Sequence, residues 1–415
     1  MIVKSISVLI LISYFLNCSD RDALNPLDPD NPITMGRPTG VNLVPIRKSV
    51  QVAWDPIDVS DILYYLVFRA QPGRSDSLIN IVSPELSSYI DTSVMYYQPY
   101  TYKIQIKTET HLSLLSDPAT ITIGPYNIYI ADFWDSSIRI VSWDGNYTIS
   151  SYPLFSPRNI RYRRLDNRFC IADYYDKKLR LLTPDLNNIE SLDLPDYPLD
   201  LDIDQYNSIT YIATRNGLLF GININQEIIF EKNLGLNLNW NTQLSYDHQA
   251  EGCWISVPDS NTVMFINLGN NTSTIKVFDN FIFPTVIEAH GNAWVSDSTG
   301  LYTISKGGEL DTIIFNTIVK DVALDTINNK CYFSGYNRDQ QSWQIGNIDM
   351  NTFAKTIILD GEKAHLYNIF PLPGKSADGF LVQQAYTWKL FRYDNHNNLI
   401  GESNGFNSRL SFQIY

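Results

Sequence analysis

"IYIADFWDSSIRIV", from Ile128 to Val141, returns 41 residues later as "FCIADYYDKKLRLL", from Phe169 to Leu182. The two stretches align without a gap. They share an Ala-Asp pair, a second Asp three residues on and an Arg four beyond that. Degraded copies follow as "TYIAT" (210–214), "CWISV" (253–257), "AWVSD" (293–297), "CYFSG" (331–335) and "FLVQQ" (380–384). The middle residues Ile130, Ile171, Ile212, Ile255, Val295, Phe333 and Val382 are spaced by 41, 41, 43, 40, 38 and 49.

A recurring unit of about 40 residues is an array signature, and its content decides which array. Each unit holds short runs of period-two alternation and none of the 3.6-residue periodicity that helical repeats need. The second unit divides into four strands, "RNIRYRR" (158–164), "FCIAD" (169–173), "LRLLT" (179–183) and "IESLDL" (189–194). Four strands per repeat of this length predict the blades of a β-propeller. The stretch "PLDLDIDQYNSITYIAT" (198–214) resembles the NHL- and YVTN-type propeller pattern of a Pro, an alternating strand ending in Asp, and a tyrosine-bearing strand. The first unit lacks an inner strand, and the chain ends on an unaccompanied one, "SRLSFQIY" (408–415). Joining the two predicts a seven-bladed ring over 126–415 with no open edge.

Residues 36–124 read as a separate β-sandwich, with alternating runs such as "SVQVAWDP", "YYLVFRA" and "YTYKIQIKT" between turn residues. The order and spacing of these runs resemble a fibronectin type III domain. That resemblance makes Trp54 the core tryptophan of the second strand and places Tyr100 and Tyr102 on the sixth. Ahead of it, residues 1–17 hold one Lys and the apolar run "SISVLILISYFL", the pattern of a secretory leader. It ends at Cys18 in "YFLNC", which resembles a bacterial lipoprotein signal, although Phe15 and Asn17 depart from the usual residues. The resemblance implies lipidation of Cys18 and an exported, membrane-anchored envelope protein of the outer-membrane type. Residues 18–35, rich in Pro, Asp and Asn, read as a stiff solvated tether.

The fold class expected is therefore all-β throughout. A formal net charge of −13 argues against a nucleic-acid partner. Cys170, Cys253 and Cys331 fall in the second, fourth and sixth repeats, which are not neighbours, and are expected as buried free thiols. The Asp that closes the repeated phrase, at 132, 173 and 297, is expected to accept hydrogen bonds from the turn that follows it.

Two groups of residues should meet on one face of the ring. Loops between second and third strands carry Phe133, Trp134, Tyr174, Tyr175, Tyr336, Arg338 and Tyr386. Inner-strand entrances carry Asn159, Asp200, Gln243, Asp321, Asn368 and Arg409. Trp134, Tyr175, Tyr336 and Tyr386 with the six entrance residues form the candidate site for a protein or glycan ligand. No catalytic residue, metal or cofactor is expected. His248 and His290 fall on the opposite face, and no nucleophile-elbow, zincin or phosphate-loop motif is present. The expected function is a non-catalytic binding scaffold. The alternative is a propeller lyase or hydrolase that acts on a glycan or peptide at the channel mouth, with Asp202 and Glu288 as a carboxylate pair.

Overall fold

The computed structural model describes residues 27–46, 48–57, 62–146, 148–187, 189–277, 286–361, 366–372, 379–384, 389–394, 396–403, 406 and 410–414. The leader, Cys18, the first part of the tether, Tyr386 and Arg409 lie outside these residues. The chain divides into two compact units, Met1–Pro125 and Tyr126–Tyr415.

In the first unit, Asn42–Ile46, Ser49–Ala53 and Ser88–Asp91 form a three-stranded antiparallel sheet. Ser77–Val82, Ile62–Ala70, Pro99–Thr108 and Ala119–Thr122 form a four-stranded one in that order. Pro99–Thr108 alternates strictly between buried and half-buried positions, which puts Tyr100, Tyr102, Ile104 and Ile106 on one inward face. Trp54 is buried against Tyr65, with ring centroids 5.1 Å apart. One polar group holds this core. The Tyr102 hydroxyl donates to Asp91 Oδ2 at 2.9 Å, and Arg69 reaches the same oxygen at 2.6 Å. Burial alone would raise the Asp91 carboxyl. The hydrogen bonds from Ser93, Tyr102 and Arg69 outweigh it and hold the group below the ordinary carboxylate range.

The second unit consists, among the described residues, of seven four-stranded antiparallel sheets. The sheet around Ile128–Asp132 takes its inner strand from Leu410–Ile414, paired residue for residue from Leu410↔Asp132 to Ile414↔Ile128. Each sheet after it is sequential, as in Pro157–Arg163, Arg168–Asp173, Lys178–Leu182 and Ile189–Asp193. The unit is all-β, and its repeat is a sheet.

Why the repeated phrase is so apolar follows from its place. Ile128–Asp132, Gly252–Val257 and Gly300–Ile304 are buried at every residue, whereas the outermost strand Ile228–Asn233 is exposed at Ile228, Ile229, Glu231 and Asn233. A second strand is covered by a neighbouring sheet on each face. On Arg168–Asp173, Phe169 and Ile171 pack with Ile138 and Ile140 of the preceding sheet. Cys170 and Ala172 pack with Ile212 and Phe220 of the following one. A strand buried on both faces reads as a nearly continuous hydrophobic run. Similar clusters join each consecutive pair of sheets. The last cluster sets Leu381 and Leu390 against Ile128, Ile130 and Val141, which returns the ring to its beginning. This is the architecture of a β-propeller.

Cys170, Cys253 and Cys331 are buried, stand outside any disulfide and are divided among different intersheet clusters. Desolvation pushes Cys170 up to about 11, so it stays a protonated packing residue.

Candidate functional site

Neighbouring inner strands of such a ring are not joined by backbone ladders, so their edge amides need other acceptors. The residues at the inner-strand entrances supply them. Asp200 Oδ2 accepts from the Leu244 amide of the next sheet at 2.8 Å, and Asp321 Oδ2 accepts from Ile369 in the same way at 2.8 Å. Ser411 Oγ accepts from Ile160 at 3.2 Å and donates to Asn159 Oδ1 at 2.7 Å. Asn159 in turn donates through Nδ2 to Asp200 Oδ1 and to the Leu201 carbonyl. Asn159, Asp200, Asp321 and Asn368 are all buried. Gln243 is half-buried and opens the fourth inner strand opposite Ser256.

A β-bulge precedes this position in several sheets, between Pro157 and Asn159, Pro198 and Asp200, and Val319 and Asp321. The bulge turns the side chain toward the neighbouring inner strand. The equivalent position in the first sheet is Ser411, opposite Ala131, while Arg409 lies outside the described residues. One layer along the strands, Asp202 accepts from the Tyr246 and Ile203 amides and faces Arg161 Nε at 3.5 Å. Desolvation raises its carboxyl, opposed by the Arg161 charge. Asp202 is therefore paired with a guanidinium and two amides. Glu288 lies on the strand Val286–His290, with its side chain outside the described set.

The second-to-third-strand loops show what the repeated phrase encodes. Arg139 lies 3.6 Å from the buried Asp132 and also contacts Asp135. Arg180 binds the buried Asp173 at 3.0 Å and also Asp176. The shared Asp, Asp and Arg are one ion triad that braces the hairpin. Asp297 accepts from its own turn, from the amides of Thr299 and Gly300 at 2.6 and 2.8 Å, and Asp132 accepts from Asp135 at 3.3 Å. Asp173 departs from that expectation. Its Oδ1 accepts instead from the amide and hydroxyl of Ser156, in the loop that precedes the inner strand. A hydroxyl at 156 offers the carboxylate two donors at once, and Ser156 Oγ then accepts from the Tyr175 amide at 2.6 Å.

These braced loops project aromatic rings. Phe133 and Tyr174 fold inward and are buried, whereas Trp134 is 66% and Tyr175 is 52% exposed. Two further exposed rings join them, Phe155 at 62% and Trp240 at 43%. Trp240 meets Phe133 at 4.9 Å and Tyr174 at 5.0 Å, both edge-on, and the Arg158 guanidinium lies 4.0 Å over its face. Tyr175 meets Phe133 at 5.7 Å and Phe155 at 6.0 Å. Phe155 and Trp240 were not singled out in the sequence. Both lie in loops leading into inner strands, which open on the same face as the second-to-third-strand loops. That placement was the available signal. The loop bearing Trp240 is anchored by buried Leu234 and Leu238, whose amides donate to Gly217 and Arg215.

Tyr336 packs half-buried on Trp343 of its own sheet, at 5.5 Å. Arg338 donates to the Ser298 carbonyl at 3.0 Å. On the other face, His248 packs near Tyr206 and His290 bonds Gln249. Among the described residues, no three of His, Cys, Asp and Glu group as metal ligands.

No family model matches the sequence, and no curated protein matches it. The fold is similar to solved propellers. U3-55K superposes with a TM-score of 0.52 over 68% of this chain and 92% of that one, at 8% identity. The WD40 repeats of RRP9 superpose with a TM-score of 0.49 over 62% of this chain and 83% of that one, also at 8% identity. At such identity the first likeness speaks to the fold alone: this part of the chain is a β-propeller.

Proposed function

We propose that the chain is a non-catalytic scaffold of the cell envelope that binds a protein partner on one propeller face. In this reading Cys18 carries the lipid, residues 18–35 are the tether, and residues 36–124 are a fibronectin type III spacer. The seven sheets are the blades of a propeller closed by the C-terminal strand. The observation that carries the binding role is the exposure of Trp134, Phe155, Tyr175 and Trp240 on one face around the buried Phe133 and Tyr174. Leaving four large rings in water has an unfavourable hydration cost of about 25 cal/mol per Å². Contiguous apolar patches of a few hundred Å² on a monomer are commonly functional.

The test is site-specific photocrosslinking from position 134 in envelope extracts. A discrete adduct that disappears in Tyr175→Ala, with the melting temperature unchanged, supports the reading. Identical adducts from a position on the opposite face, such as 206, would sink it.

A further inference from the structure

A strand at the edge of a sheet presents unpaired backbone donors and acceptors, and proteins blunt such edges with charges, prolines, bulges or short strands. In the second unit the outermost strand of every sheet carries a charged residue or a proline, such as Pro153, Glu190 and Lys276. In the first unit Asn42–Ile46 carries Pro45, Ser88–Asp91 ends in a charge, and Ala119–Thr122 is four residues long. Ser77–Val82, the other edge of the four-stranded sheet, is different. Its sequence "SLINIV" holds no charge and no proline, and a bulge between Asn80 and Leu78 is its one irregularity. Leu78 is 49% and Ile81 is 54% exposed. They stand opposite the half-buried Phe68 and Leu66 on the outer face of the sheet.

This edge is complementary to itself. Two copies of one strand that pair antiparallel about a twofold axis bring the same surface together from both sides. An axis between Ile79 and Asn80 sets Leu78 of one copy opposite Ile81 of the other, and does so twice. Apolar cross-strand pairs of this kind are what stabilises a sheet. The bulge falls at the axis, so regular pairing lies on either side of it. A slip by one residue sets Leu78 opposite Val82 or Asn80, whose partners Tyr65 and Val67 face the core.

The flanking charges fit the same register. Arg74 and Glu85 lie in the turns at the two ends of the strand, equally far along the chain from the axis. The turn that carries Arg74 in one copy therefore comes beside the turn that carries Glu85 in the other. Both side chains are exposed and neither has an ion-pair partner among the described residues; Glu85 accepts only from its neighbour Ser83. The remaining charge at this edge, Asp76, is held by Lys103 of its own sheet at 2.8 Å. We propose that Ser77–Val82 is a self-association edge, on which a second copy of this chain pairs antiparallel and joins the two four-stranded sheets into one.

Sedimentation of the full chain, up to high micromolar concentration, should show a reversible monomer–dimer equilibrium, weak because the contact is small. Arg74→Glu and Glu85→Arg should each weaken it about tenfold, since each sets like charges together twice, and the double reversal should restore it. Ile81→Lys should abolish it. The register is read by mixing full chains that carry Leu78→Cys with full chains that carry Ile81→Cys, both with Cys18→Ser. An intermolecular disulfide should form in air in the mixture and not in either variant alone, because only the 78–81 pair lies within bonding reach. A chain that stays monomeric throughout overturns the proposal. So does a dimer indifferent to the charge reversals, a double reversal that fails to restore it, or a disulfide that forms as readily in the separate variants.

Discussion

The Arg in "SSIRIV" and "KKLRLL" is a half-buried residue of the third strand whose role is set by a buried carboxylate. Arg180 neutralises Asp173, and without it that charge would stay buried against Ser156 alone. Arg180→Ala should therefore destabilise the protein by about 2–3 kcal/mol, less than loss of a fully buried partner because Arg180 keeps some solvent contact. Thermal unfolding checks this, and a melt equal to the parent's would refute the brace. In the first unit, Asp91 makes a similar prediction with a pH dependence. Its folded carboxyl titrates below the unfolded value of about 3.9. Its contribution is thus fully present above that value and is lost as pH falls through the folded one. Asp91→Asn should lower the stability of residues 36–124 by about 2 kcal/mol near neutrality and flatten the acid limb of their unfolding curve. An acid limb as steep in the variant as in the parent would rule out this role.

At the scale of the strand, the polar entrance residues are lacing as well as a rim. Asp200 supplies acceptors to Leu244 and to Asn159, and both donors lie where water does not reach. Asp200→Ala should cost about 2 kcal/mol by leaving those donors unsatisfied, while partner binding, read by crosslinking from position 134, stays as in the parent. Weakened binding with an unchanged melt would return Asp200 to the ligand site. The residue types at 159, 200 and 321 were legible as a recurring polar position just inside each inner strand. Their partners were not, because Leu244 and Ile369 come from neighbouring repeats 44 and 48 residues away. Local spacing carries no trace of which amide is left unpaired.

Over the whole molecule, closure depends on one strand from the far end of the chain. Leu410–Ile414 covers the edge of Ile128–Asp132, a strand with no exposed residue. Deleting residues 407–415 should expose that edge and cost several kcal/mol, with aggregation or a much earlier melt of the second unit. The first unit has its own two sheets and core, so a protease-resistant fragment near residues 36–124 should survive. A truncated chain that melts with the parent would refute closure by this strand. Anchoring is tested at the other end: labelled fatty acid should enter the parent chain and not Cys18→Ala. Equal labelling of the two would remove the lipid anchor from the proposal.

The sequence by itself determined that this chain is built of strands, that its second part repeats at about 40 residues, and that its thiols stay apart. These follow from side-chain periodicity and repeat spacing, which are local and survive divergence between repeats. The positions of Trp134 and Tyr175 in exposed loops were legible for the same reason. Only the tertiary structure decided that Phe133 and Tyr174 fold inward, that Trp240 arrives over them from a loop some hundred residues along the chain, and that Ser411 completes the lacing at Asn159. Each of these depends on which sheets become neighbours when the ring closes. That is a property of packing between repeats, and no single repeat contains it.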